Sequence, residues 1–463
     1  MLPLLMRAAA IICALGASLS LAVSGAAAAP LPPIKHVWIV VLENKSYATT
    51  FGENSAAPFL AKTLPAYGEL LTQYYGIGHS SLDNYIAMVS GQPPNPDTQG
   101  DCTTYNEFAG SVRPDGVAEG HGCVFPAQVS TIGDQLEGKG LTWKQYAEDM
   151  ASSSTEPKTC RHPPLGQQDQ SEAAKADDQY ATKHNAFVYF HSIIDRAICD
   201  TNVIDLSALQ GDLASASTTP TYSFITPDLC SDGHDTPCID GRPGGLQSVN
   251  DFLQTWVPRI VGSPAYADGG LLIITFDEAS GDASDCCGEP ASPNTTYNGG
   301  ASGNGGGRTG AVLLSPYIKP GTVNDTPYNH YSLLRSTEDL FGLSHLAYAA
   351  QDGLKPFGDD VFTQPQGPQL PDPNGPKPTI SLKNVPGKCA PKSFTAKIQV
   401  TAKQLRDVRV FVDGHKISTR KQRTFSQRVS TKKLHRGKHH LLARATDKIG
   451  RQAQKSVAFR TCR

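Results

Sequence analysis

Nowhere in the 463 residues is there a Cys-x-x-Cys pair, and no second long apolar run follows the first thirty residues. The first absence leaves a cysteine zinc site without its usual ligand spacing. The second leaves nothing after residue 30 of the length and apolarity that cross a bilayer. No internal repeat is evident, which sets a solenoid aside. Acid is nearly missing from the end of the chain. Residues 377–463 hold 23 Lys and Arg against 3 Asp, a net of +20. The remainder therefore carries 18 basic and 40 acidic residues, a net of −22, hidden behind an overall −2.

The chain starts with the pattern of an export signal: Arg7, an apolar stretch over 8–23, and four alanines at 26–29 as a small-residue cleavage site. We expect a cleaved and exported protein, the competing reading being a retained membrane anchor. Cys13 leaves with the signal, and ten of the eleven cysteines remain. An even number in an exported chain suggests disulfides. Local pairing gives Cys102–Cys123, Cys160–Cys199 and Cys230–Cys238, with Cys389–Cys462 clasping the last domain. The neighbours Cys286 and Cys287 bridge each other or cross-pair. The length suits two or three domains. The proline-dense stretch 364–378 reads as a semi-rigid spacer between a body at 30–363 and a basic domain at 379–463.

Residues 271–276, Leu-Leu-Ile-Ile-Thr-Phe, read as a strand buried on both faces, as in a parallel sheet. It stops on Asp277 and Glu278. Ligands of open α/β sheets sit beyond the carboxyl ends of the strands. Two charges after a buried run need a compensating partner, and a cation is the simplest; a solvated acidic turn is the plain alternative. Two more apolar runs end on acids, 36–42 on Glu43 and 221–227 on Asp228. Parallel strands place such ends on one edge, so Glu43, Asp228, Asp277 and Glu278 are expected to converge. A fourth run, 311–318, has no terminal acid and completes the sheet.

A helix is predicted over 81–90, closed by Gly91, with Ser80 or Ser81 as cap and Asp83 in its first turn. A hydroxyl there faces free N–H groups and suits a phosphate, although simple capping is the commoner fate. Helices are also predicted over 249–260 and 331–343, with His330 starting the second. Residues 44–52 read as a polar loop and 93–125 as a disulfide-pinned one. Residues 282–307 form either a mobile flap beside the site or a disordered insert. In the last domain, 408–417 around Asp413-Gly414, 440–445 and 455–459 read as strands of a small immunoglobulin-like β-sandwich.

Oxygen donors at Glu43, Asn44, Asp277 and Glu278, with Asp228 as a further candidate, suit a hard divalent cation; a histidine would make the site mixed. A metal beside Ser81 would lower the pKa of its hydroxyl and neutralise phosphoryl charge. Asn84, one helical turn on, is placed to bond a phosphate oxygen. His234 could bind a metal or protonate a leaving group. His79 and His330, taken singly, are of the kind that is more often structural.

Six ordered blocks then carry a resemblance. They are Leu-Glu-Asn-Lys-Ser-Tyr at 42–47 with Phe51-Gly52, Asn-Tyr-Ile-Ala-Met-Val-Ser-Gly at 84–91, Pro-Asp-Leu-Cys-Ser-Asp-Gly-His-Asp at 227–235, Thr-Phe-Asp-Glu at 275–278, Leu-Ser-Pro-Tyr-Ile-Lys-Pro-Gly at 314–321, and 329–342. Together, from about residue 34 to 342, they resemble the bacterial phosphoesterase family. That family includes secreted acid phosphatases and phospholipases C, within the alkaline-phosphatase-like superfamily. The resemblance implies a three-layer αβα sandwich and metal binding at Glu43, Asn44, Asp277 and Glu278. Ser81-Leu-Asp-Asn84 is also similar to the Thr-Phe-Pro-Asn segment of nucleotide pyrophosphatases in that superfamily. There the hydroxyl residue is the nucleophile and the asparagine holds phosphate. Ser81 takes that role by analogy, Ser80 is adjacent, and Asp83 stands where those relatives have proline. Relatives imply that His79, His234 and His330 line the phosphate pocket, as a second metal site or as proton donors.

Neither Ser80 nor Ser81 begins the Cys/Ser-x-Pro-x-Arg pattern that sulfatases need. The acidic balance of the body argues against nucleic acid as its grip surface. We therefore expect a secreted or extracellular, metal-dependent hydrolase of phosphate esters. An acid phosphatase-type monoesterase comes first and a phospholipase C-type diesterase second. A reading of another class makes the basic domain the working part, a binder of anionic cell-wall polymer, lipid or nucleic acid through phosphates; a solvated surface that only aids solubility is its plain counterpart.

Overall fold

The computed structural model describes residues 30–365, 378–402, 405–447 and 452–462. The expected export signal at 1–29 and most of the proline-rich spacer lie outside the described residues.

Eight strands build the main sheet: β1 His36–Leu42, β2 Glu69–Leu71, β3 Trp143–Ala147, β4 Val203–Asp205, β5 Tyr222–Thr226, β6 Gly270–Phe276, β7 Ala311–Leu314 and β8 Thr322–Asn324. Their order is β8-β2-β7-β6-β1-β5-β3-β4. Only β7, the acid-free run, lies antiparallel to its neighbours β6 and β2. The two most apolar runs, β1 and β6, sit side by side at the centre, with Leu42 opposite Phe276. That register delivers Glu43 and Asp277 next to each other at one edge.

Alternation along β1 feeds two cores, Val37, Ile39 and Val41 into one and Trp38, Val40 and Leu42 into the other. Helices α1 Ser81–Ser90 and α3 His330–Phe341 pack on the first face through Leu82, Ile86, Val89, Leu333 and Leu334. Helix α2 Gly245–Val261 packs on the second through Val249, Leu253, Trp256 and Ile260. The result is a mixed sheet between helical layers. All ten residues of α1 are buried, and Gly91 ends it in the left-handed region at φ 69°.

Three stretches differ from expectation. The 44–52 loop contains a short helix, Tyr47–Phe51, because Ser46 caps it by accepting from Thr49 N. The 93–125 loop contains a hairpin, Ala109–Val112 with Ala118–His121. Residues 282–307 are not a disordered insert. They lie as a strap with Ser292 Oγ donating to Pro94 O, Gly306 N to Gly76 O, and Tyr348 OH to Ala291 O.

All ten cysteines after residue 30 are paired, and Cys286 bridges its neighbour Cys287. The basic end holds β9 Thr379–Lys383, β10 Ser393–Thr401, β11 Leu405–Val412, β12 His415–Arg420, β13 Thr424–Ser430, β14 Gly437–Asp447 and β15 Gln452–Thr461. These make two antiparallel sheets, β9-β10-β13 and β12-β11-β14-β15, sharing a core that includes Phe394, Ile398, Val410, Leu441 and Phe459. Asp413 and Gly414 turn β11 into β12 with φ of 46° and 83°, the positive values a two-residue hairpin turn demands. Among the described residues no helix is long and apolar enough to cross a membrane.

Candidate active site

Beyond the β1 and β6 ends the chain is pinned by backbone bonds, Asp277 N to Leu42 O at 2.9 Å and Glu43 N to Asp232 O at 2.9 Å. Asn44 adopts φ 47°, a left-handed turn that asparagine tolerates. Its N–H then donates to Asp277 Oδ1 at 3.0 Å and its Nδ2 to Glu278 Oε1 at 2.6 Å. Helix α1 aims its first turn at the same place. Ser81 Oγ donates to Glu43 Oε2 at 2.9 Å, and Tyr85, four residues on and so on the same helix face, donates to Glu43 Oε1 at 2.6 Å. Glu43, Asn44, Ser81, Asp277 and Glu278 are thus brought together.

Charge is held here at a cost. Burial pushes the Glu43 carboxyl well up, and Asp277 and Asp232 push it further. Asp277 is pushed up to about 8 by burial and then by Glu278. Burial also raises Asp232. The nearby cation Lys45 is itself pulled down by burial, and its Nζ donates to Asn44 O at 3.2 Å. Asp277 Oδ2, Asn44 Oδ1, Asp232 Oδ2 and both ring nitrogens of His184 are buried with no hydrogen-bond partner. Unpartnered hard oxygens around stacked carboxylates fit a divalent cation. Among the described residues, the trio of His, Cys, Asp or Glu donors lying within 4.8 Å of one another is Cys230, Cys238 and Asp240, whose two sulfurs are already bonded to each other. The acids at the strand ends do not close that tightly by themselves. A cation shell there also needs Asn44 Oδ1 and the Ser81 hydroxyl.

The other expected residues sort by what they already hold. Asn84 Oδ1 accepts from Ile77 N and Gly78 N at 2.7 and 3.1 Å, and its Nδ2 donates to Gly78 O and Ser80 O at 3.0 Å. Its amide shapes the loop before α1, and only a 3.4 Å contact to Glu278 Oε2 leads into the site. Ser80 Oγ donates to His79 O and Gln99 O, so that hydroxyl is committed. His79 Nε2 donates to Asp282 O at 2.8 Å on the strap, and Nδ1 lies 3.6 Å from Glu278. Burial pulls its pKa down, but Glu278 and Asp282 outweigh that and leave it raised.

His330, Asp228 and His234 are placed otherwise than expected. His330 exposes no surface to a substrate. It is wholly buried, with Nε2 donating to Asp277 O at 2.5 Å and Nδ1 accepting from Tyr74 OH at 3.1 Å, and burial drops its pKa to about 4. It is a neutral buttress under Asp277. Asp228 Oδ1 accepts from Cys230 N and Ser231 N, and its Oδ2 faces Arg242 at 3.2 Å. The strand stops at Thr226 and the chain turns, so the carboxylate its loop sends inward is Asp232. His234 is half-exposed and pairs with Asp235 at 2.9 Å. Among the described residues no hydrogen bond or ion pair joins it to Glu43, Ser81 or Asp277.

Sequence reasoning missed His184, Asp232, Tyr85 and the Asp101–Lys183 pair. His184 lies between Glu43 Oε1 at 3.4 Å and Asp232 Oδ2 at 3.5 Å, its ring stacked on Tyr85 at 5.2 Å, and burial holds its pKa well down. Asp101 Oδ1 accepts from Leu82 N at 3.0 Å in the first turn of α1, and Lys183 pairs with Asp101 at 3.0 Å. Asp232 stood inside a quoted block; Tyr85 was legible as the residue four after Ser81. His184 lies in a stretch with no period, and nothing local marks it.

A family model described as the phosphoesterase family matches residues 55–344. An acid phosphatase of Aspergillus fumigatus is 27% identical over 314 residues, 67% of this chain and 55% of that protein. A phosphate-repressible acid phosphatase of Penicillium chrysogenum is 27% identical over 282 residues, 60% of this chain and 53% of that protein. A phosphatidylinositol-3-phosphatase of Mycobacterium tuberculosis is 27% identical over 354 residues, 74% of this chain and 91% of that protein. The chain spans about half the length of the fungal relatives it matches.

Proposed function

The chain belongs to the phosphoesterase family, and from that premise we propose that it hydrolyses phosphoric esters with Ser81 as the nucleophile. What carries this is the 2.9 Å bond from Ser81 Oγ to Glu43 Oε2, beside the unpartnered Asp277 Oδ2 and Asn44 Oδ1. The Ser81 proton lies on that bond, and Glu43 in its ionised form, accepting at both oxygens, is the base nearest it. Tyr85 fixes the other oxygen of Glu43 and so its orientation. Ser81 Oγ attacks phosphorus, the ester oxygen departs, and a phosphoserine remains. Water then attacks that phosphorus and restores the hydroxyl. The positive end of α1 faces the phosphoryl oxygens, with Leu82 N already held by Asp101. His79, kept protonated at acid pH by Glu278 and Asp282, supplies the proton to the leaving oxygen. A divalent cation held by Glu43, Asn44, Asp277 and Glu278 would neutralise phosphoryl charge and lower the pKa of the Ser81 hydroxyl.

The favoured substrates are phosphomonoesters, as the names of the fungal and mycobacterial relatives support. Export, an alkaline-phosphatase-like arrangement of the body and an immunoglobulin-like basic domain complete the proposal. The test compares p-nitrophenyl phosphate with its bis ester and with phosphatidylcholine, with and without chelator. Ser81→Ala should lower monoester turnover by about 10³-fold or more and Ser80→Ala far less. The reverse order would remove Ser81 from the chemistry, and preference for the bis ester or the lipid would move the substrate class to diesters.

A further inference from the structure

The basic domain carries charge where a sheet normally avoids it. Val408, Val410 and Val412 of β11 and Leu441, Ala443 and Ala445 of β14 point into the core, so the residues between them face away from it. On that outer side Arg409 stands directly opposite Arg444, and Lys438 directly opposite Arg460. Like charges in directly opposed sheet positions repel. Lys416 on β12 has a ready explanation, since lysines guard exposed sheet edges. Strands β11 and β14 are central, so that explanation does not reach Arg409 and Arg444. Of these five bases only Arg409 has an ion pair among the described residues, Nε to Asp407 Oδ1 at 3.2 Å.

Apolar side chains lie among the charges. Phe411 and Leu442 oppose each other on the outer side, half-buried and outside the core, with the Arg444 guanidinium 5.7 Å from the Phe411 ring centre. Ile417, where β11 and β12 slip register, is 40% exposed.

We propose that this face docks the protein on an anionic phospholipid bilayer. The bases meet headgroup phosphates while Phe411, Leu442 and Ile417 enter the interface. The bases occupy all four strands, over about 14 Å across the sheet and about 20 Å along it. That is a two-dimensional array, which a bilayer surface matches and a single polyanion strand does not. Single-stranded nucleic acid takes successive stacking aromatics, and among the described residues Phe411 is the one Phe, Tyr or Trp on this side of the sheet. An apolar centre within a basic surround gives the interface both of its attractions.

The experiment uses the full chain, sedimented with vesicles of mixed phosphatidylglycerol and phosphatidylcholine or of phosphatidylcholine alone at about 0.1 M salt. Binding is read without turnover, so it stands or falls apart from the esterase proposal. The wild type should sediment with the anionic vesicles only, and less at high salt. Arg409→Gln with Arg444→Gln, and Lys438→Gln with Arg460→Gln, should each weaken partitioning, by about fivefold per charge removed. Arg409→Lys with Arg444→Lys should keep it, and thermal melting should show every variant folded. Absence of vesicle binding by the wild type, or folded Gln variants that bind like it, overturns the proposal. So does binding of polyphosphate or single-stranded DNA through the same residues with vesicles ignored.

Discussion

Replacing Asp277 by Asn removes one buried carboxylate while keeping an oxygen for the Asn44 N–H. An ordinary aspartate loses its proton near pH 4 in the unfolded chain, whereas Asp277 in the fold holds its proton to about 8, through burial and the neighbouring Glu278. Between those limits the folded state binds the extra proton, so stability of the metal-free protein falls as pH rises from about 4 to about 8. Four units at about 1.4 kcal/mol each set a ceiling near 6 kcal/mol. Because Glu43 and Asp232 compete for the same protons, about 2–3 kcal/mol should appear at this one position. In a body of this size that is a melting shift of roughly 3–4 °C. The assay is thermal unfolding in excess chelator at pH 5 and pH 8. The wild type should melt lower at pH 8, and Asp277→Asn should lose most of that difference. Adding a divalent cation should raise the wild-type melting point more at pH 8, where binding need not expel a proton. Equal melting of chelated wild type at the two pH values, or an unchanged pH slope in Asp277→Asn, would refute the picture of protonated acids awaiting a cation.

Three further outcomes are expected. Tyr85→Phe removes the hydroxyl that orients Glu43; turnover on a monoester should drop by about tenfold, as for loss of one hydrogen bond to a charged group, with melting little changed. His79→Gln should flatten the alkaline fall in activity, because its raised pKa means the proton is lost on that side, whereas His330→Gln should lower the melting point and leave the shape of the pH–rate profile alone. Gly91→Ala places a Cβ 2.5 Å from Leu346 O at φ 69°, and should cost about 1–3 kcal/mol in a urea titration.

Much of the centre was legible because it is one-dimensional. Runs such as 36–42 and 271–276 can bury both faces only inside a sheet, and an acid that ends such a run must leave at the sheet's edge. Caps located α1, spacing located α2 and α3, and cysteine order located four of the five disulfides, leaving Cys286 and Cys287 open. The destination of a side chain after its strand has stopped is another matter. Asp228 and Asp232 sit four apart in one turn, and only the path of that turn, tied by Arg242 and Ser231, decides which carboxylate meets Glu43. His330 starts its helix as expected, yet its ring goes beneath Asp277 rather than into solvent. His184 arrives from a stretch without hydrophobic period, and its place between Glu43 and Asp232 is set by long-range packing against Tyr85.

The residues by themselves determined the central strands and the long helices beside them, that acids end those strands, and that the last 87 residues are strongly basic with alternating apolar positions, since periodicity, turn chemistry and charge are local properties of a chain. Tertiary structure alone decided the strand order, the antiparallel place of β7, the choice of Ser81 Oγ over Ser80 Oγ as the hydroxyl left facing Glu43, and which histidines stay neutral. Each of those depends on groups tens to hundreds of residues apart competing for one buried volume, and no local pattern records the winner.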